Sequence, residues 1–447
     1  MLISRLLLTS DWTSVILTLF AVYISFYYYK YFSRKNKLPG PLPLPLVGNL
    51  IEVAKLGLDN VPKWFFLLRE RYGDYFEFYL GTQRIVVTCN AELMDKLVDP
   101  STKTNFFKRH PENSNISELG YNAHGIFFNQ TFEGWKFNRK FLSKSLMSPK
   151  FQAELLQQQQ ELFCDASNYL DLLSSKIGDE SLESTKINLA ATMLSFNADL
   201  IIKMTTGKTG GSLAHYLKNN YPFENYKESK RLIQKSNSNS AAYEISIELT
   251  KLTRGWSTDT MYIFSLPKWL RHYVPGFSHF NKKCLNNLQR TFHILHGIIE
   301  ERKNEIENSP KEMDLESNLL TLLLLANTER DPDRMIDTNG EFTRPMTKYE
   351  IGGILLEVCH GSIEEISWVF NSTVYYILKF PHVQNQFLEE IEKILGFDLA
   401  RPITFEDLKK FKYLDAILYE TLRLSPPLPV VGRTNTVVDE IVLDESS

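Results

Sequence analysis

The sequence predicts a mainly α-helical protein with a small β-sheet portion, placed behind an N-terminal transmembrane helix. Three observations lead to this fold class. Apolar residues recur at helical spacing through most of the 447 residues, one short stretch alternates like a β-hairpin, and 18 uncharged residues lie near the N-terminus. A hydrophobic content of 43% with 13% aromatic residues indicates a large packed core and excludes a disordered chain.

The transmembrane helix is predicted from the 18 uncharged residues between Asp11 and Lys30. As a helix they would extend about 27 Å, enough for the hydrocarbon core of a bilayer. A cleaved signal peptide is the alternative, but the run is long for one and no small-residue cleavage site follows it. We therefore interpret residues 1–37 as a membrane anchor with a basic stop, and the positive-inside rule puts the body of the protein in the cytosol. The basic residues of the stop are Lys30, Arg34, Lys35 and Lys37.

A proline-rich hinge and a β-hairpin follow the anchor. Residues 38–50 read LPGPLPLPLVGNL, and proline at this density excludes a helix and favours a stiff extended path. The Leu and Val residues between the prolines indicate that the hinge docks on the body of the protein. Residues 75–89 alternate around Gly81, which predicts the two strands of a hairpin.

The remaining chain, residues 51–447, is predicted to form one α-rich domain. Its longest helix opens with a capping box formed by Thr347 and Glu350, continues to Lys379 and stops before Pro381. Because apolar residues lie on most faces of this helix, we expect it to pass through the middle of the domain. Two further helices follow, in VQNQFLEEIEKILG and TFEDLKKFKYLDAILYETLRL.

The charged and cysteine residues exclude two kinds of site. Lys and Arg number 50 against 53 Asp and Glu, and a net charge of −3 offers no large basic face for nucleic acid. The four cysteines lie far apart, without a CxxC pair or a neighbouring His at metal-ligand spacing, so neither a zinc site nor a disulfide framework is predicted. We interpret each cysteine as a small buried apolar residue in a reducing compartment. They are Cys89, Cys164, Cys284 and Cys359.

A pair of opposite charges lies near the C-terminus. Glu420 and Arg423 are three residues apart on a predicted helix and so project from one face. The surrounding residues, YLDAILYETLRL, are largely apolar, which predicts that the pair is buried and braces a neighbouring loop.

The segment YLDAILYETLRLSPPLPVVGR resembles the helix K signature of the cytochrome P450 monooxygenases. Glu420 and Arg423 form its E-x-x-R motif, and Arg433 is the basic residue after the proline bend. The segment EGWKFNRKFLS resembles the helix C motif W-x-x-x-R of the same family, with Trp135 and Arg139. The anchor and hinge resemble the microsomal form, so the resemblance covers nearly the whole chain. It implies the cytochrome P450 fold.

The resemblance also implies a cofactor, partners and a location. Haem would be held by a cysteine thiolate, with Arg139 and Arg433 pairing with its propionates. Trp135 would donate its indole N–H to a propionate, although a plain core aromatic is the alternative. An NADPH-dependent reductase would supply electrons, and the enzyme would oxidise an apolar small molecule with O2. Such a protein would lie in the endoplasmic reticulum membrane and face the cytosol.

The predicted long helix departs from the family pattern of Ala-Gly-x-Asp/Glu-Thr. In HGSIEEIS, Gly361 is in place, but Ile363 falls at the acid and Glu364 at the threonine. A shift by one residue puts Glu364 at the acid and Glu365 at the threonine, so the hydroxyl is lost in both alignments. Gly361 would still let the helix open locally over a ligand, and Glu364 could relay protons if burial raised its pKa. Family members without the alcohol often perform rearrangements or dehydrations, so hydroxylation is one of several possible reactions.

The second departure concerns the haem ligand. None of the four cysteines has the Phe-x-x-Gly context of the ligating cysteine, which lies beyond helix K in the family. We therefore expect a chain truncated before that loop and, as given, unable to ligate iron. The alternative to an enzyme is a non-catalytic, membrane-tethered remnant of the fold that binds a ligand or a partner.

Overall fold

A computed structural model describes residues 12–56, 60–98, 106, 108–109, 118, 124–129, 131–175, 187–208, 210–220, 247–252, 255, 259, 262–263, 266–310, 313, 315–331, 344–396, 401–428 and 430–434. The chain forms two compact units. The N-terminal unit contains Met1–Phe106 and Ser265–Leu270, and the helical unit contains Phe107–Phe264 and Arg271–Ser447.

Helices dominate the described residues, and two strands form the one sheet among them. In the first 106 residues the elements are α1 (Trp12–Ser33), α2 (Leu50–Leu56), α3 (Val61–Tyr72), β1 (Tyr75–Leu80), β2 (Gln83–Thr88) and α4 (Ala91–Val98). They are followed by α5 (Phe132–Leu146), α6 (Pro149–Ser175), α7 (Leu189–Thr206), α8 (Ser212–Asn220), α9 (Lys268–Tyr273) and α10 (Phe277–Asn308). The last are α11 (Leu319–Leu325), α12 (Lys348–Lys379), α13 (Pro381–Leu395), α14 (Phe405–Leu408) and α15 (Lys412–Leu424). The predicted fold class is confirmed.

The N-terminal helix α1 has 22 residues, none of them buried. Its length and mean hydropathy of 1.3 are sufficient to cross a membrane. The predicted helix therefore forms, while the membrane span, the hinge and the domain limits at residues 37 and 50 stay predictions.

The hairpin and the proline-rich hinge form a common structure in the N-terminal unit. Strands β1 and β2 are antiparallel, with Leu80 opposite Gln83 and Gly81 in the turn at a φ of +60°. Asn49, at the end of the hinge, accepts a hydrogen bond from the N–H of Tyr79 through its Oδ1 at 2.9 Å and donates its own N–H to the Tyr79 carbonyl at 2.7 Å. The end of the hinge thus contacts the hairpin through Asn49, whereas the leucines between the prolines, on which the prediction of docking was based, are exposed.

A buried carboxylate fixes the entry of the chain into the N-terminal unit. Glu77 on β1 is 1% exposed and forms ion pairs with Arg34 and Arg84. Arg34 Nε donates to Glu77 Oε1 at 2.6 Å, and Arg84 Nε donates to Oε2 at 2.8 Å. Two guanidinium partners satisfy a carboxylate that burial would otherwise disfavour. Part of the predicted basic stop therefore has a structural role that the sequence did not reveal.

Helix α12 lies in the middle of the helical unit. It begins at Lys348 behind the capping box of Thr347 and Glu350 and ends at Lys379, as predicted. Its first half is almost fully buried against α7 and α10, where Leu355 is 0% exposed and Leu295 likewise. In its second half the Ser367 hydroxyl accepts a hydrogen bond from Asn197 of α7 at 2.8 Å. The helix continues without interruption through Gly361, so its local opening over a ligand stays a prediction.

Candidate functional site

Trp135 and Arg139 lie one turn apart on α5 and contact each other. The Arg139 guanidinium carbon is 4.9 Å from the centre of the Trp135 ring, a cation–π arrangement. Trp135 is 7% exposed and contacts Phe132, whereas Arg139 is exposed. The W-x-x-x-R spacing thus places an indole beneath a guanidinium that points to the surface of the helix.

Arg433 lies beside Arg109, a second arginine that the sequence analysis did not identify. Thr434 pairs with Lys108 in an isolated antiparallel bridge, in which the Thr434 N–H donates to the Lys108 carbonyl at 2.6 Å. This pairing sets Arg433 beside Arg109, because both directly adjoin the bridge. The Arg109 guanidinium carbon lies 4.9 Å from the centre of the Phe127 ring.

The charges of Arg139 and Arg433 both act on Arg109, and we call these three residues the arginine cluster. Burial lowers the pKa of Arg109, and the charges of Arg433 and Arg139 lower it further. Burial also lowers the pKa of Arg433. Within the part of the chain that the structure describes, no carboxylate lies within 4.0 Å of any of the three. The charge of Glu357 acts on Arg109 in the opposite direction, but no carboxylate pairs directly with the cluster among these residues, so the cluster is suited to a bound anion.

Residues 124–128 lie between the arginine cluster and the long helix α12 and contact both. The buried carboxylate of Glu357 on α12 accepts hydrogen bonds from the backbone N–H groups of Ile126, Phe127 at 2.9 Å and Phe128 at 3.0 Å. Burial raises the pKa of Glu357, although these three donors and the charge of Arg109 oppose the rise. Glu357 thereby fixes the backbone that carries Phe127, on which Arg109 stacks.

Two glycines make this close approach possible. A Cβ on Gly125 would come within 2.2 Å of the Glu357 carboxylate, and one on Gly353 would come within 2.7 Å of the Gly125 nitrogen. From α5, the Asn138 amide donates to the carbonyls of His124 and Gly125, each at 2.8 Å. The segment is therefore held between α5 and α12. The sequence analysis did not predict this contact. The feature that could have indicated it is Glu357, the single acidic residue in the otherwise apolar turn ILLEVCH.

The predicted catalytic residues of α12 lie one to two turns beyond Glu357. Gly361 is exposed, and among the residues that the structure describes no atom outside the adjoining turns of α12 lies within 4 Å of the position a Cβ would take. Glu364 is half-buried. Glu364 stays a predicted proton relay, and burial raises the pKa of its neighbour Glu365 to about 7. In the second alignment of the family motif, this Glu365 takes the place of the threonine.

The Glu420–Arg423 pair forms, but the prediction that it is buried is wrong. Arg423 donates Nε to Glu420 Oε2 and Nη2 to Oε1, both at 2.7 Å. Glu420 is 56% and Arg423 67% exposed. Among the described residues of α15, only Ile417 and Thr421 are buried, and the pair lies outside this narrow buried stripe.

The described cysteines do not supply an iron ligand. Cys284 donates its thiol to Asp259 Oδ1 at 3.1 Å, and burial and that aspartate raise its pKa to about 12. Burial raises the pKa of Cys359 to about 11. Both are buried apolar residues, as predicted, but Cys164 is exposed and Cys89 half-buried, so the prediction is wrong for those two. In the described ranges no three His, Cys, Asp or Glu side chains gather as a metal site.

Comparison with known proteins identifies the family. The sequence model of the family Cytochrome P450 matches residues 38–445. Cytochrome P450 83A1 of Arabidopsis thaliana is 24% identical over 417 residues, which cover 93% of this chain and 72% of the relative. Parthenolide synthase of Tanacetum parthenium is 24% identical over 396 residues, covering 89% and 67%. Cytochrome P450 2B4 of Oryctolagus cuniculus is 24% identical over 409 residues, covering 90% and 70%.

The chain therefore belongs to the cytochrome P450 family, and by family it is a monooxygenase with a haem cofactor. The residues of the arginine cluster fit the acidic end of that cofactor, because guanidinium groups bind carboxylates in two-point geometry. The buried neutral thiols of Cys284 and Cys359 do not fit its iron, which requires a thiolate.

Proposed function

We propose that this chain forms the haem-binding body of a membrane-anchored monooxygenase that oxidises an apolar small molecule with O2 and electrons from an NADPH-dependent reductase. The observation that carries the proposal is the arginine cluster, three guanidinium groups without a carboxylate within 4.0 Å among the described residues. A dianionic ligand of the size of haem would supply the missing charge.

The chain's own residues would hold the cofactor by its carboxylates. Arg139 and Arg433 would each donate to a propionate, as the family resemblance implies, and Arg109 would join them from the segment that Glu357 holds. Trp135 would support Arg139 from below and offer its indole N–H. When bound, haem would supply the redox and oxygen chemistry of the reaction.

The apolar nature of the substrate is inferred from the residues near the open space at Gly361. Ile126 and Phe127 are held by Glu357, one helical turn before Gly361, and Trp368 lies two turns beyond it with 54% of its surface exposed. Apolar and aromatic side chains favour an apolar ligand where they line its binding site.

The membrane location rests on α1. A helix of 22 residues extends about 33 Å and can span a bilayer, and the basic residues that follow favour a cytosolic body. We propose the endoplasmic reticulum membrane. Expressed protein should stay in the membrane pellet after carbonate extraction, and a variant without residues 1–37 should be released. Release of the full chain would contradict the anchor.

The cofactor proposal is tested by haem titration of the full chain in detergent, followed through the Soret absorption band. The double variant Arg139→Gln/Arg433→Gln should bind haem at least about tenfold more weakly, since it loses charge-assisted hydrogen bonds. Arg69→Gln is the matched control, because Arg69 is 51% exposed and pairs with Asp74 in the N-terminal unit. Equal haem affinity in all three proteins would contradict the proposal.

The second candidate function is ligand binding without oxygen chemistry, and the raised pKa values of Cys284 and Cys359 favour it. Carbon monoxide added to the reduced, haem-loaded chain separates the two candidates. A thiolate-type shift of the Soret band supports the monooxygenase, and a band without this shift supports binding alone. Reading the transcript beyond the Ser447 codon adds a direct check, because an in-frame Phe-x-x-Gly segment followed by cysteine would supply the ligand.

A further inference from the structure

A cavity of about 580 Å³ lies within the helical unit, and none of the described residues that line it belongs to the arginine cluster. It is bounded by the second half of α10, the end of α11, the turn after α11 and the start of α12. Ile351 is the lining residue of α12 that comes nearest to Gly361 along the chain, and the two lie about 15 Å apart along the helix axis. The cavity is therefore separate from the site proposed for haem.

The floor of the cavity is apolar. Its buried members come from α10 and from the start of α12, and Leu324 and Leu325 at the end of α11 are half-buried. The buried residues are Ile299, Ile306, Met346 and Ile351. A cavity of roughly 300–1,000 Å³ with an apolar lining and a few polar groups is typical of sites for small molecules. The volume and the floor of this cavity both meet that description.

One wall of the cavity is a turn that hydrogen bonds hold in place. The Arg330 guanidinium donates to the hydroxyl of Ser309 at 3.0 Å and to its carbonyl at 2.6 Å. The Thr328 hydroxyl donates to the Leu325 carbonyl at 2.7 Å. Because these contacts already fix the wall, a ligand would not have to order it, and less of the binding free energy would be lost to conformational entropy.

The mouth of the cavity carries balanced charges. Among the described residues of the lining, as many side chains are basic as acidic: Lys303, Arg330 and Lys348 against Glu300, Glu307 and Glu329. Lys348 lies 3.6 Å from Glu300, and both are about half exposed. Lys303 lies 3.8 Å from Glu307. A charged ligand would meet like and opposite charges here and would lose hydration on entering, so the mouth favours an uncharged molecule.

We propose that this cavity is a second small-molecule site of the protein and that it binds an uncharged, apolar molecule. The molecule would lie against Ile299, Met346 and Ile351 and would leave the two ion pairs of the mouth intact. Burial of its apolar surface would drive the binding. Because the cavity lies outside the site proposed for haem, occupation of the cavity requires neither haem nor turnover.

Benzophenone is a suitable probe, because it is uncharged and apolar and, on irradiation, inserts into nearby C–H bonds with a preference for methionine. The full chain in detergent is irradiated at increasing benzophenone concentrations, and the labelled residues are identified by digestion and mass spectrometry. Met346 should be labelled, and its labelling should saturate. Met313 is the internal control and should not saturate, because it is 57% exposed and lies outside the lining. Absence of label on Met346, or the same concentration dependence at both methionines, would overturn the proposal.

A larger side chain in the cavity tests whether the label reports this space. Leu325→Trp should reduce the labelling of Met346 at least about tenfold, because the indole would take the volume of the probe. Leu322→Trp is the matched control on the same helix, since Leu322 is also half-buried but is not part of the lining. Circular dichroism checks that each variant is folded, and Ile306→Phe replaces Leu325→Trp if that variant does not fold. Full labelling of Met346 in a folded cavity-filling variant would refute the site.

The preference for an uncharged molecule is tested with 4-benzoylbenzoate, the carboxylate analogue of the same probe. Its labelling of Met346 should require a higher concentration for half-saturation than labelling by benzophenone. The double variant Lys303→Gln/Lys348→Gln should leave labelling by benzophenone unchanged, because an uncharged ligand does not pair with either lysine. A lower half-saturation concentration for the carboxylate, or loss of benzophenone labelling in the double variant, would overturn the assignment to uncharged ligands. These measurements do not use haem, so their failure would leave the proposed function standing.

Discussion

The carboxylate of Glu357 accepts a hydrogen bond from the backbone N–H of Phe128 at 3.0 Å, across 229 residues of sequence. The same carboxylate accepts a hydrogen bond from the backbone N–H of Phe127. The guanidinium of Arg109 lies over the ring of Phe127. A single acid on α12 thus connects the core of the helical unit to the arginine cluster. The stability of this connection and the binding of an anion by the cluster can be tested separately.

Replacement of Glu357 by alanine should destabilise the protein strongly. Three backbone N–H groups would lose their acceptor, and we expect the free energy of unfolding to fall by roughly 3 kcal/mol or more. Urea unfolding followed by circular dichroism measures the change. Glu300→Ala is the matched control on α10, where Glu300 is 48% exposed and 3.6 Å from Lys348. Equal stability of the two variants would mean that the hydrogen bonds to Glu357 contribute nothing.

Alanine substitutions at two glycines of α12 should change the stability of the protein in opposite directions. A Cβ at Gly353 would meet the backbone of Gly125 at 2.7 Å and of His124 at 2.8 Å, so Gly353→Ala should cost about 1–3 kcal/mol. At Gly361 the described part of the chain places no atom of another segment within 4 Å of that position, and Gly361→Ala should stabilise the helix by about 0.5–1 kcal/mol. Thermal unfolding of both variants provides the comparison. A stabilising Gly353→Ala would show that residues 124–128 are not held against α12.

Removal of the charge of Arg109 should maintain or raise the stability of the haem-free protein and weaken its binding of haem. Burial and the neighbouring arginines lower the pKa of Arg109, which reflects an unfavourable environment for its charge. Arg109→Met should therefore leave the Tm of the haem-free chain unchanged or higher, because a partly buried charge is removed. The increase in Tm on addition of haem should be smaller than in wild type. An unchanged increase would exclude Arg109 from the anion site.

The exposed and the buried ion pairs near the C-terminus should differ in their effect on stability. Glu420→Ala should leave the Tm unchanged, because Glu420 and Arg423 are more than half exposed. Asp407→Asn should lower it, because Asp407 is 5% exposed and its carboxylate accepts from Arg401 at 2.8 Å and from the Thr404 hydroxyl at 2.8 Å. A lower Tm for Glu420→Ala would show that its pair has partners beyond Arg423.

The stabilising effect of Asp407 should depend on pH. Hydrogen bonds from Arg401 and Thr404 hold the pKa of Asp407 below its usual value of 3.8 in the folded protein. The ionised group therefore stabilises the folded state above pH 3.8, and this contribution is lost as the pH falls toward the lower folded-state pKa. The Tm difference between wild type and Asp407→Asn should shrink as the pH falls below 3.8. A Tm difference that does not change with pH would show that the ionised carboxylate of Asp407 is not the source of the stabilisation.

The local features of the fold could be predicted because neighbouring residues determine them. Gly81 sets the hairpin turn, and Thr347 with Glu350 starts α12, since turns and caps depend on a few adjacent residues. Trp135 and Arg139 contact each other because residues four apart meet on a helix. The family also followed from local motifs, through their order along the chain.

The contacts between distant segments could not be predicted in the same way. Arg109 meets Arg433 only because Lys108 pairs with Thr434, and Glu357 meets residues 126–128 only because Gly125 and Gly353 permit a close approach. The apolar neighbours of Glu420 suggested burial, but the packing of α15 left the pair exposed.

The sequence by itself determined the helical fold class, the hairpin, the limits of α12 and the membership of the cytochrome P450 family. The tertiary structure alone decided which arginines lie near one another and that the carboxylate of Glu357 is buried against residues 126–128. The physical reason is that hydrogen bonding and helical periodicity act over a few residues, whereas burial and electrostatic interaction depend on segments that only the folded chain brings together.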